Sequence, residues 1–242
     1  MRIRPVHFLT ALMAAPAIAL AQTAASAPDQ SALPVVQLGV DVPPYYQAGD
    51  RFGAPPTVAV DPAYDALLSS VKIEDIRKAR DGIAAKPDLV KPETLIVLAM
   101  RLYDMGQRDD AVFWYYAGRD RFLTMESVLD MRSLRLSRSA EVIESFLRAA
   151  GPAMDGYAYC SIAHQYERED RAINWVAAHP YKVLGYTELP ALGEDRNAAL
   201  VAAVAHLRDA ATKKKALLDD PKTLAQLEEA RARNHAHERY CW

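Results

Sequence analysis

The chain has 242 residues, 51% of them apolar and 25% charged, with a formal net charge of −2. That balance excludes a disordered chain, because it holds enough apolar material for a sizeable core, and it forces no basic face for nucleic acid. Alanine occurs 43 times and glycine 10 times, which favours helices over a turn-rich β architecture.

Residues 1–21 read as a secretory signal peptide of bacterial style. Arg2 and Arg4 supply a basic start, Phe8 to Leu20 a short apolar stretch, and Ala19-Leu20-Ala21 a cleavage site, with Ala25-Ser26-Ala27 as a second candidate. The apolar stretch falls short of the roughly 20 residues that span a bilayer, and no later run approaches that length. The expected location is therefore the periplasm or the exterior, with no transmembrane segment after cleavage. Loss of Arg2 and Arg4 would take the net charge to about −4.

Residues 22–60 form a Pro-rich extended leader, carrying Pro28, Pro34, Pro43, Pro44, Pro55 and Pro56. Proline fixes φ and removes a donor, so no long helix or central strand is expected there. Val35 to Val42 offers one short edge strand. Tyr45 and Tyr46 beside Pro43-Pro44 are the anchors if the segment is a partner-binding arm.

Residues 61–242 are expected to form one all-α domain, an irregular bundle or short hairpin array of about seven or eight helices. Asp61-Pro62 and Asp220-Pro221 place an N-cap aspartate before a proline at the first helical position. Helical spacing joins Ile73, Ile76 and Ile83, then Leu95, Leu98 and Leu102, then Val142, Ile143, Phe146 and Leu147. The cleanest stripe is Leu200, Val201, Val204, Leu207 and Ala211. Gly106, Gly151-Pro152, Pro180 and the run from Gly185 to Gly193 act as breakers.

Cys160 and Cys241 are the two cysteines. An even count in an oxidising compartment predicts a bridge between them. Closing a loop of that length is worth roughly 4–5 kcal/mol in the chain-entropy account. The alternatives are two unpaired thiols or an intermolecular link.

One stretch, residues 95–118, has a distinctive pattern. Leu98 and Ala99 are a large–small pair, followed by Leu102 and Tyr103. Gly106 sits at a turn, Ala111 at a close inter-helix contact, Tyr115 as an aromatic on the second helix, and Ala117 or Gly118 as the last small residue. This resembles one unit of a tetratricopeptide or Sel1-like helical hairpin. The resemblance implies binding of a protein or peptide rather than catalysis, and it transfers no catalytic residues. A solenoid needs about three such units, and Ala163, Tyr166, Ala172 and Trp175 echo the pattern only weakly.

No nucleophile elbow, zincin motif, P-loop, dinucleotide fingerprint or paired-cysteine metal motif occurs. His235 and His237 are two apart and point to opposite sides of a helix or strand, so no metal site and no cofactor is expected. The acidic run Glu167, Glu169 and Asp170 is interleaved with arginine and reads as a salt-bridged solvent face. Two features suggest recognition: the consecutive aromatics Phe113, Trp114, Tyr115 and Tyr116, and the arginines Arg119, Arg121, Arg132, Arg135 and Arg138. Phe113, Trp114, Tyr116, Arg119 and Arg121 are accordingly the candidate contacts. The expected function is an exported, non-enzymatic helical protein that binds a protein or peptide partner in the bacterial envelope. The alternatives are an enzyme of unrecognised type acting on cell-wall material, and a structural envelope protein.

Overall fold

The computed structural model describes residues 38–50 and 53–242. The expected signal peptide and residues 22–37 of the leader lie outside the described residues. The rest is an all-α protein carrying one small sheet. Among the described residues there are nine α-helices, two short 3₁₀ helices and three two-residue strands.

The described part of the leader is a correction to the sequence expectation. Strands β1 (Asp41–Val42), β2 (Tyr46–Gln47) and β3 (Thr57–Val58) form an antiparallel sheet in the order β1-β2-β3. The register pairs Val42 with Tyr46 and Tyr46 with Val58. Those three residues share one face, and all are buried, together with Leu38, Val40 and Val60. The described residues 38–50 and 53–60 therefore belong to the same compact unit as the helices, and the expected boundary at 60 is not a boundary. The physical reason is length. A two-residue strand fits between prolines, so the prolines occupy the connections and cost no ladder hydrogen bond.

Helix α1 (Asp65–Leu68) starts later than the Asp61-Pro62 signal implies. Asp61 instead closes a turn, accepting the Ala63 N–H on Oδ1 at 3.0 Å. The Asp65 carboxylate takes the Val60 and Asp61 N–H groups at 2.9 and 2.8 Å. Helix α2 (Ile73–Ala85) buries Ile76, Ala79 and Ile83 on the expected face.

Helices α3 (Pro92–Asp104) and α4 (Arg108–Val128) make an antiparallel hairpin at the centre. Gly106 turns the chain between them at φ 76°, where an L side chain is disfavoured. From Leu95 to Tyr103 every residue of α3 is buried. Its one cation there, Arg101, is satisfied internally. It donates to the Leu68 and Ser70 carbonyls at 3.0 and 2.9 Å and to Asp104 at 2.6 Å. Gly118 lets the two helices close up, since a Cβ there would lie 2.8 Å from Ile96 Cγ1.

Helix α5 (Ser137–Ala158) runs straight through Gly151-Pro152, which the sequence marks as a break. Pro152 is on the exposed side. Gly151 faces inward, where a Cβ would sit 2.9 Å from the Tyr115 hydroxyl oxygen. That hydroxyl donates to the Leu147 carbonyl at 3.2 Å, the carbonyl next to that of Arg148, which Pro152 cannot serve. Helix α6 (Ile162–Ala178) packs on α4, and the long α7 (Arg196–Asp219) crosses both α4 and α6. Helices α8 (Pro221–Arg233) and α9 (Ala236–Tyr240) complete the chain. Asp220 caps α8 as expected, accepting the Thr223 N–H at 2.8 Å. On α7 the stripe is incomplete: Val204 and Leu207 are buried, but Val201 is 63% exposed. No described helix is long and apolar enough to cross a membrane.

Candidate functional site

The residues expected to contact a partner are mostly interior. Phe113, Trp114, Tyr116 and Arg121 are buried, and only Arg119 keeps a partly exposed side chain. Four consecutive aromatics cover every side of a helix. Here α4 is packed by α3, α5, α6 and α7, and these neighbours cover the aromatic run.

These residues do come together as a foundation. Phe113, Trp114 and Trp175 form an edge-on aromatic cluster, with Trp114 and Trp175 centroids 5.3 Å apart. The Arg121 guanidinium lies over Trp175 at 4.7 Å and over Tyr181 at 5.5 Å. It donates to the carbonyls of Pro87, Val90 and His179 at 2.9, 2.7 and 2.9 Å. Burial pushes its pKa down to about 10, so it remains a cation at neutral pH. Arg121 thus ties α4 to the 3₁₀ turn Pro87–Leu89 and to the end of α6.

Two residues before Arg121 and on another side of α4, Arg119 joins a second group. It donates to Asp120 at 2.8 Å and to Glu169 at 3.3 Å, and it sits 4.4 Å from the Tyr116 ring centre. Lys214 of α7 and Gln165 of α6 also donate to Glu169. Tyr116 donates to Asp155 at 3.3 Å. Burial raises the pKa of both Asp120 and Asp155, against the pull of Arg119. The acidic run on α6 is therefore split. Glu167 and Asp170 face solvent as expected, but Glu169 is buried and holds three helices together.

The surface feature built on this foundation is a cleft of about 680 Å³. One wall is the 3₁₀ turn Lys182–Gly185 with Tyr181 before it, and the other is the first turn of α7 with Leu200. The connecting loop is fixed rather than loose. Arg196 donates to the Leu184 and Leu189 carbonyls, and the loop pairs with the end of α4 through Asp130 to Pro190 and Leu192 to Val128. Tyr181, Leu184 and Leu200 give the cleft its apolar lining, and Lys182, Glu194 and Asp195 give a rim of mixed sign. Burial, with Glu93 nearby, raises the Tyr181 pKa to about 12, so its phenol is neutral at physiological pH. Such a lining grips an amphipathic segment by its apolar side.

Sequence reading missed this cleft. Tyr181, Lys182 and Arg196 lie in no motif, and Leu200 looked like a core stripe. The available signal was the long connection from Pro180 to Asp195, since loops of that length in a compact domain are often functional.

The Cys160–Cys241 disulfide forms as expected, tying the end of α5 to the C-terminal tail across a sequence separation of 81. Arg132, Arg135 and Arg138 are exposed and lie in a turn and at a helix start, not along one helical edge. Among the described residues no group of three or more His, Cys, Asp or Glu side chains is arranged to hold a metal ion.

No protein-family model and no solved structure matches the chain. A curated relative from Haemophilus influenzae, described as an uncharacterized protein, is 31% identical over 209 residues, covering 86% of this chain and 80% of its own length. The match is too long to be confined to one hairpin, and the chain belongs to the family of that Haemophilus influenzae protein.

Proposed function

We propose that this is an exported, non-enzymatic helical protein of the bacterial envelope, and that it binds a protein or peptide partner in the cleft between Tyr181 and Leu200. The observation that carries the reading is the cleft itself. Its lining is apolar, its rim carries both charges, and its loop is pinned by Arg196 and braced from behind by Arg121. A pinned cleft binds with little ordering cost. The likeness of residues 95–118 to a peptide-binding helical hairpin supports the same class of function. The disulfide supports export, because such bridges persist in oxidising compartments.

The test places a photo-crosslinking residue at Asn197, on the rim, in the native host. A discrete crosslinked species is expected, and Leu200→Arg should reduce it at least about tenfold while the circular dichroism spectrum stays unchanged. Equal crosslinking in the Leu200→Arg protein would reject the cleft as the binding surface.

A further inference from the structure

We propose that the Cys160–Cys241 disulfide is an exchange site for a dithiol reductant, and that opening it releases a C-terminal clasp made of α8 and α9. The clasp has little else to hold it. Helix α8 buries no residue, and α9 buries only Ala236. The two helices meet at His235, whose φ of 50° and ψ of 38° lie in the left-handed region that a residue with a side chain disfavours. Besides the disulfide, the clasp reaches the body through the Arg231 guanidinium on the Gly156 carbonyl and through two aromatic rings. The Tyr240 ring covers Gly156, where a Cβ would come within 2.6 Å of it. Trp242 lies beneath the Arg108 guanidinium at 3.7 Å, and its carbonyl accepts a hydrogen bond from Arg108.

The disulfide is open to attack. A groove of about 370 Å³ runs past it, with Cys160 in its wall beside Ile162, Leu224, Leu227 and Arg231. Both cysteines are only partly buried. The Arg231 guanidinium is fixed by the Gly156 carbonyl, to which both Nη atoms donate at 3.2 Å. From there Nη2 reaches Cys241 Sγ at 3.3 Å and Cys160 Sγ at 3.6 Å. A fixed cation beside a sulfur favours its thiolate and so improves it as a leaving group. Glu228 and His237 also line the groove, and of these side chains Arg231 is the one with hydrogen bonds to the sulfurs.

The chemistry follows from that placement. A thiolate of the reductant enters along the groove and attacks Cys160 Sγ. The S–S bond breaks, its electron pair leaves on Cys241 Sγ, and that thiolate is held by Arg231. The reductant's second thiol then displaces Cys160 from the mixed disulfide. The dithiol is oxidised to a disulfide by two electrons, and its two protons end on the two cysteine sulfurs. With the bridge open, the tail leaves, and the face of Arg108 that Trp242 covers is bared between the rings of Tyr103 and Tyr157, at 5.1 and 5.8 Å.

The experiment treats the native full chain with dithiothreitol at neutral pH, traps thiols by alkylation and reads them by mass. Reduction at least about tenfold faster than global unfolding is expected, with a change in Trp242 fluorescence and faster tryptic cleavage after Arg233 and Arg239. The Arg231→Gln protein is expected to reduce about tenfold more slowly, with partial recovery in Arg231→Lys. A Cys160→Ser, Cys241→Ser protein should show the fast cleavage without reductant. Reduction no faster than unfolding, an Arg231→Gln rate equal to that of the native protein, or a tail that stays protected in the double serine protein would each overturn the proposal. A glutathione arm separates a monothiol from a dithiol source: reduction by glutathione at the dithiothreitol rate would overturn the dithiol assignment.

Discussion

The α3–α4 hairpin and the α8–α9 tail are both helical, yet they are held by opposite means. From Leu95 to Tyr103 no residue of α3 reaches solvent, whereas α8 has no buried residue at all. The hairpin is fixed by apolar burial and by internally satisfied cations. The tail is fixed by one covalent bond, the Arg231 guanidinium on the Gly156 carbonyl, a ring over Gly156 and a ring under Arg108. Helix α8, rich in Ala, Glu and Arg, is the better helix former by intrinsic propensity, so propensity does not decide which helix is a foundation and which is a clasp. The number of neighbours on each side does.

The largest effects should come from the hairpin. Arg121→Met removes the shared donor to the Pro87, Val90 and His179 carbonyls from a buried site and should cost about 3–5 kcal/mol. Leu98→Ala empties a fully buried site and should cost about 2–5 kcal/mol. Chemical denaturation with an unchanged m-value would check both. A cost under about 1 kcal/mol for either would mean that the hairpin is not the foundation.

Next comes the tail. Cys160→Ser should shift the midpoint of the body less than Leu98→Ala does, because the tail can detach alone. Amide exchange across residues 221–240 should speed up by about tenfold or more, with α3 unaffected. Uniform loss of protection in both regions would erase the contrast.

Acidity should separate the two regions again. Burial raises the pKa of Glu93, Asp104, Asp120 and Asp155, and for Asp104 it reaches about 6. A carboxyl whose folded pKa exceeds its unfolded value of about 4 binds its proton more tightly in the folded state. Stability therefore rises as pH falls from about 7 towards 4, and is lost again as pH rises through 6. The melting temperature at pH 5.5 should exceed that at pH 7.5. The α8 cap responds the other way. The Thr223 N–H and hydroxyl hold the Asp220 pKa below its usual value, so its stabilisation is present above about pH 4 and lost below. Calorimetry and exchange at both pH values would test the two signs.

The smallest effect should be at Val201, a stripe residue that is 63% exposed. Val201→Ser should change stability by less than about 0.5 kcal/mol. A larger loss would place a packing partner on that side of α7.

Much of the helix pattern was legible because its signals are local. The Asp220-Pro221 start and the Gly106 turn depend on neighbours one to four residues away, and both act as expected. Asp61-Pro62 carries the same start signal, but Asp61 closes a turn on the Ala63 N–H and the helix begins three residues later. Gly151-Pro152 reads as a break until Tyr115, far away in sequence, needs the space over Gly151 and its hydroxyl supports the Leu147 carbonyl. The candidate contacts failed for a related reason. An aromatic or arginine side chain suits both a core and a binding surface, and only the packing around α4 chose between them.

By itself the sequence determined an all-α domain, the positions of several helix ends, and a cysteine pair able to bridge. These follow from periodicity, backbone chemistry and counting. The tertiary structure alone decided that the prolines of residues 38–60 flank a buried sheet, that Arg121 braces an interior, and that a cleft opens between Tyr181 and Leu200. Each depends on which distant segments meet, and burial is a property of that meeting rather than of any residue's own chemistry.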